Sequence, residues 1–183
     1  MERASSRYFV FGISDGLFLG LGLSLGVSFL NSYNFTFISV ALVGVTGAMS
    51  NFFSVYNAEN FVTGQRMKEY KEALFVREYK PNKLTELRHK KSVVYALTIF
   101  LATLIGSFII LLPYLAAYGY SASQIRTSSV ISLVLALLLL GIIGAYNSDN
   151  TSERIKNAVK SIGIGLVISV LSALVGYSFS VFI

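Results

Sequence analysis

The sequence predicts an all-α, polytopic membrane protein with five transmembrane helices, its N-terminus inside and its C-terminus outside. Three observations predict it. The chain is 54% hydrophobic and only 13% charged, with mean hydropathy +0.66, far from a soluble average. The charges are segregated: residues 8–58 hold only Asp15, while 92–125, 127–148 and 161–183 hold none. Lys and Arg fall on one side of the apolar windows, 14 of the 15 lying at the N-terminus, between the second and third windows, or between the fourth and fifth. That bias marks the cytoplasmic side.

The first apolar block, Tyr8 to Ala58, is too long for one helix, and Asn31-Ser32-Tyr33-Asn34 divides it into spans near 8–30 and 36–58. A third span is expected near 92–118, interrupted by Pro113, which removes a backbone hydrogen bond and should kink or end the helix. The fourth is expected near 127–147 and the fifth near 161–182. Each exceeds the roughly 20 residues needed to cross about 30 Å of hydrocarbon.

The chain thus divides into a helical hairpin at 1–58, a cytoplasmic segment at 59–91 and three further spans in 92–183. In the middle segment Met67, Tyr70, Leu74 and Phe75 follow helical spacing with charges on the other side, which predicts an amphipathic helix lying against the membrane or a partner. The first apolar stretch leads straight into another span, so it reads as a retained helix rather than a cleaved signal. A chain this short without targeting extensions is expected in a prokaryotic plasma membrane.

Several classes are excluded. The absence of cysteine removes disulfides and thiolate metal sites, and a single histidine, His89, removes His-rich clusters. The net charge of +6 is not a nucleic-acid signal, because the basic residues sit between apolar spans without a recognition motif. An enzyme is not expected, since clustered catalytic groups are missing.

The chemistry concentrates on Asp15. It lies eight residues beyond Arg7, about 12 Å along a helix and so near the bilayer midplane. A carboxylate there costs about 3 kcal/mol, and no cation in any span offsets it. Asp15 must be protonated, hydrated in a cavity or bound to a cation, states that a proton-coupled cation pathway uses; a protonated Asp bonded to a neighbouring helix is the structural alternative. Gly12, Gly16 and Gly20 form a small-residue stripe beside it. Gly44, Gly47, Ser50, Asn51, Ser54 and Ala58 give the second span a matching face. This points to either helix packing or a path lined by Gly12, Gly16, Gly47, Ser50 and Ser54. At the inner mouth, Glu59, Glu69 and Glu72 could collect divalent cations as hard oxygen ligands, or could belong to a solvated face laced with ion pairs.

Gly12-Ile13-Ser14-Asp15-Gly16, Gly47-Ala48-Met49-Ser50 and the Leu-Leu-Pro-Tyr-Leu ending at Leu115 resemble the vacuolar iron transporter family of divalent-metal/proton exchangers, as do the five spans and the long inside segment. The resemblance implies a homodimer with its translocation path at the subunit interface, a metal bound by Asp15, and Fe²⁺ or Mn²⁺ as a transported ion rather than a resident cofactor. Two facing Asp15 carboxylates would need a shared proton or a metal ion between them. The chain departs from the family at Asn51 and Val55, where Met and Glu are usual. Oxygen donors at Asp15, Ser50 and Asn51 should discriminate less for Fe²⁺ and tolerate Mn²⁺. A membrane scaffold of the same fold that has lost the metal site is the alternative.

Overall fold

The computed structural model describes the backbone of residues 2–30, 32–73, 83–116, 122–146 and 150–182, and side chains within 5–30, 32–69, 89–116, 124–146 and 150–180. Five helices make up the described residues: α1 (Glu2–Ser28), α2 (Tyr33–Ala73), α3 (Lys83–Ala116), α4 (Ala122–Tyr146) and α5 (Thr151–Phe182). All five are long and apolar enough to cross a membrane, as the hydropathy windows require.

The helices outrun those windows. α2 has 41 residues, about 60 Å at 1.5 Å per residue and twice the hydrocarbon thickness. The expected amphipathic element between 59 and 91 is therefore, up to Ala73 and again from Lys83, a continuation of α2 and α3 rather than a separate helix. Of the residues that defined its apolar face, Leu74 and Phe75 and the side chain of Tyr70 lie outside the described residues.

Helix α5 likewise begins at Thr151, ten residues before its apolar window. Asn150 explains the early start. Its carbonyl accepts from Arg154 N at 2.9 Å, its Oδ1 accepts from Ser152 N at 3.3 Å, and Glu153 in the first turn complements the helix dipole. The hairpin between α1 and α2 is closed by the Ser32 carbonyl, which accepts from Thr36 N at 3.0 Å and Thr36 Oγ1 at 2.9 Å.

Helix α1 is central and touches the other four. Its Leu17 and Leu21 meet Ile110 of α3 and Ala136 and Leu140 of α4 in the buried core. The stripe Gly12, Gly16 and Gly20 does bring helices close, but the partner is α3: Gly12 faces Ile99 and Ala102, Gly16 faces Thr103 and Ser107, and Gly20 faces Ile110. On α2, Gly44 meets Ser107 and Gly47 meets Leu19, so its small-residue face wedges between α3 and α1. Only 17% of the apolar window of α2 and 11% of that of α5 is buried, against 39% for α3 and α4, which puts α2 and α5 on the outside of the single chain.

Pro113 neither ends α3 nor leaves its neighbourhood without donors, because the helix runs on to Ala116 and α4 supplies hydroxyls. Ser132 donates to the Ile110 carbonyl at 2.9 Å and Ser128 to that of Pro113 at 3.3 Å. The buried Tyr114 hydroxyl pairs with Ser129 Oγ at 2.7 Å and reaches the Ser24 carbonyl of α1 at 3.4 Å. Tyr114→Phe should therefore cost roughly 0.6 kcal/mol, the usual yield of a hydrogen bond between membrane helices, in a denaturing-detergent unfolding titration. The effect stays small because Ser129 keeps its bond to the Ile125 carbonyl.

Candidate metal centre

Asp15 sits where α1, α2 and α3 meet. One Asn51 amide N–H donates to Asp15 Oδ2 at 2.6 Å, and the same nitrogen donates to Thr103 Oγ1 at 3.0 Å. The polar groups of α1 and α2 are thus joined directly, and Asn51 is anchored in addition on a buried hydroxyl of α3. The arrangement follows from the packing just described: Gly16 lets α3 approach within backbone contact one residue after Asp15, and Gly44 and Gly47 seat α2 against the same pair.

Asn51 acts here as a donor. Its carboxamide gives both described bonds from nitrogen, so Asn51 Oδ1 and Asp15 Oδ1 take no hydrogen bond from any described residue. Rotating the carboxamide by half a turn would exchange the NH₂ for an oxygen at the same place. The trio can therefore hold a bare carboxylate by donation, or meet a cation with two or three oxygens. Among the described residues no group of three His, Cys, Asp or Glu side chains comes together, so Asp15 is the one anionic ligand that a single chain offers at this point.

The other expected site residues divide. Gly12 and Gly16 are buried in the contact with α3, which makes them packing positions rather than open wall. Gly47 is half-buried against Leu19, whereas Ser50 and Ser54 are exposed on the outward side of α2 beside Met49 and Phe53. Glu59 lies eight residues along α2 from Asn51, about 12 Å, and Glu69 eighteen residues, about 27 Å, so neither joins the Asp15 site. The Glu72 side chain lies outside the described residues.

Glu59 has different company. The Tyr8 hydroxyl donates to its Oε1, and the Tyr8 ring stacks on Tyr95 with centroids 5.2 Å apart. Glu59 also lines a cavity with Arg66 and Lys91. Two cations beside the carboxylate oppose capture of a divalent metal there.

Thr103 is the site residue that sequence reasoning missed. A signal existed: Ser92 and Ala96, then Thr103 and Ser107 seven and eleven residues beyond Ala96, put small residues on one face of α3, with Ala102 and Gly106 beside them, as the glycines do on α1. A family model described as the VIT family matches residues 54–177, more than half of the chain and beginning just after Asn51. A search among curated proteins found no relative.

Proposed function

Because the chain belongs to the VIT family, a family of membrane metal-ion transporters, we propose that it exports Fe²⁺ or Mn²⁺ from the cytoplasm in exchange for protons, as a homodimer centred on Asp15. The observation that carries this reading is the bond from Asn51, itself anchored on Thr103, to Asp15, a lone carboxylate held by a neutral donor at a three-helix junction. Holding it costs stability, and a packing role would be met as well by an uncharged residue. With one anionic ligand per chain, a divalent ion needs neutral oxygens or a second copy to complete its shell. Two Asp15 side chains from facing protomers would supply that charge, and protons would replace the metal when the pair returns empty. The outward faces of α2, carrying Ile38, Leu42, Val45, Met49 and Phe53, remain uncovered by the chain itself.

The test is reconstitution into liposomes with Fe²⁺, Mn²⁺ and proton flux followed under an imposed pH gradient. Wild-type protein that moves neither metal would overturn the proposal and favour the scaffold alternative, and a monomeric mass in detergent and in nanodiscs would overturn the dimer. Asn51 sets the expected selectivity. An oxygen or amide donor there suits hard cations, whereas the thioether usual at this position suits softer ones. Asn51→Met should raise the ratio of Fe²⁺ to Mn²⁺ flux several-fold in the same vesicles, and an unchanged ratio would remove Asn51 from the ion path.

A further inference from the structure

At the basic end of the bundle a polar cavity of about 280 Å³ opens between α2 and α3, lined by Glu59, Val62, Thr63, Arg66, Lys91 and Tyr95. Over its described lining residues its charge is net positive. Arg66 and Lys91 contribute two cations against one carboxylate, and Arg7 lies over the ring of Tyr8, the partner of that carboxylate, with its guanidinium carbon 5.4 Å from the ring centre. The Tyr8 hydroxyl donates to Oε1 of the Glu59 carboxylate, which leaves its other oxygen to accept, and among the described residues neither cation forms an ion pair with it.

The depth is equally informative. Glu59 stands just beyond the charge-free part of α2, and Lys91 immediately precedes the charge-free window of α3. The cavity thus sits where two helices leave the hydrocarbon on the side that carries most of the basic residues, the level of the phosphates of the inner leaflet. Its volume is near the roughly 300 Å³ lower limit of small-molecule sites, room for a phosphate and a short headgroup but not for a whole lipid.

We propose that this cavity binds the phosphodiester of an inner-leaflet phospholipid whose headgroup carries its own hydrogen-bond donor. The guanidinium of Arg66 and the ammonium of Lys91 take the phosphate oxygens, as a fork and a point charge respectively. Thr63 adds a hydroxyl, and Glu59, the one anionic acceptor among the described wall residues, takes the headgroup hydroxyl or ammonium. A quaternary ammonium headgroup offers no such donor. The site is separate from the Asp15 centre, about 12 Å of helix away, and its test involves no metal.

Native mass spectrometry of the purified protein with dioleoyl phosphatidylglycerol, phosphatidylcholine or inorganic phosphate distinguishes the sources. Wild type should retain phosphatidylglycerol and release phosphatidylcholine. Arg66→Gln combined with Lys91→Gln should weaken retention about 30-fold, taking two basic residues at the strength usual near an anionic surface. Val62→Trp, which fills the cavity without removing a charge, should weaken it comparably and decides the matter if the double variant does not fold. Lys156→Gln with Lys160→Gln, exposed on α5 at the same end, should retain lipid as wild type does. Wild-type retention in either cavity variant, equal loss in the α5 variant, or displacement of the lipid by millimolar inorganic phosphate would overturn the proposal.

Discussion

Asp15→Asn should abolish pH-driven Fe²⁺ and Mn²⁺ flux, at least 100-fold below wild type, while leaving the protein folded and more stable than before. The two halves of this expectation have one cause. Asn has the shape of Asp, so its side-chain oxygen can still accept from Asn51 Nδ2, which now donates at 2.6 Å to Asp15 Oδ2, and the contact to Thr103 persists. What disappears is the charge. Removing the one anionic ligand that the described residues place at the junction would take away the attraction for a dication and, in the exchange proposed above, the proton carrier together. It also removes the penalty for a carboxylate in the bilayer, about 3 kcal/mol where the charged form is populated. A site kept for function at the expense of stability gives this opposed pair of effects, whereas a structural hydrogen bond gives neither. Flux assays in proteoliposomes and unfolding titrations on the same preparation read both. Persisting flux would remove Asp15 from the ion path, and a marked loss of stability would make it a packing residue.

The spans were legible because lipid imposes a composition that no loop shares, and each of α1 to α5 holds a stretch long and apolar enough to cross a membrane. The helix ends were not legible from hydropathy, since nothing in the bilayer's demands stops a helix at its surface. α2 runs on through Asn60 and Lys68 to Ala73 on polar residues with adequate helix propensity, and α5 starts at its Asn150 cap rather than at its first apolar residue. Asp15 stood out by its cost, which is a property of the sequence alone. Thr103 did not, because a neutral hydroxyl in an apolar helix can bond to its own backbone and carries no such signature. The stripe on α1 announced close packing but not its partner, and only the fold assigned it to α3. The company of Glu59 was hidden for another reason: Arg66 and Lys91 are 25 residues apart in sequence, and the pairing of α2 with α3 brings them to one cavity.

The crossing of α1 on α3 is where the largest loss of stability is expected, and Gly16→Ala should be enough to produce it. A Cβ at Gly16 would fall against the Thr103 carbonyl oxygen and 2.9 Å from Ser107 N, both backbone atoms that cannot turn aside as a flexible side chain would. Gly12 above it is nearly as confined, with Ala102 Cβ and the Ile99 carbonyl each at 2.7 Å. The helices would have to separate, weakening the bond from Ser107 Oγ to the Gly16 carbonyl at 3.2 Å and opening the contacts of Leu17 with Ile110. Overpacking of this kind costs about 1–3 kcal/mol, more for a larger side chain. Because Thr103 is the atom pushed away, Asn51 loses its second acceptor and the geometry at Asp15 loosens with the fold. Gly64→Ala provides the contrast: nothing lies within 4 Å of a Cβ there, so the change should stabilise the exposed C-terminal part of α2 by about 0.5–1 kcal/mol through helix propensity alone. Unfolding titrations of the two variants beside wild type should therefore move in opposite directions. If Gly16→Ala unfolds like wild type, α1 and α3 are not packed backbone to backbone, and the junction that holds Asp15 must be built in another way.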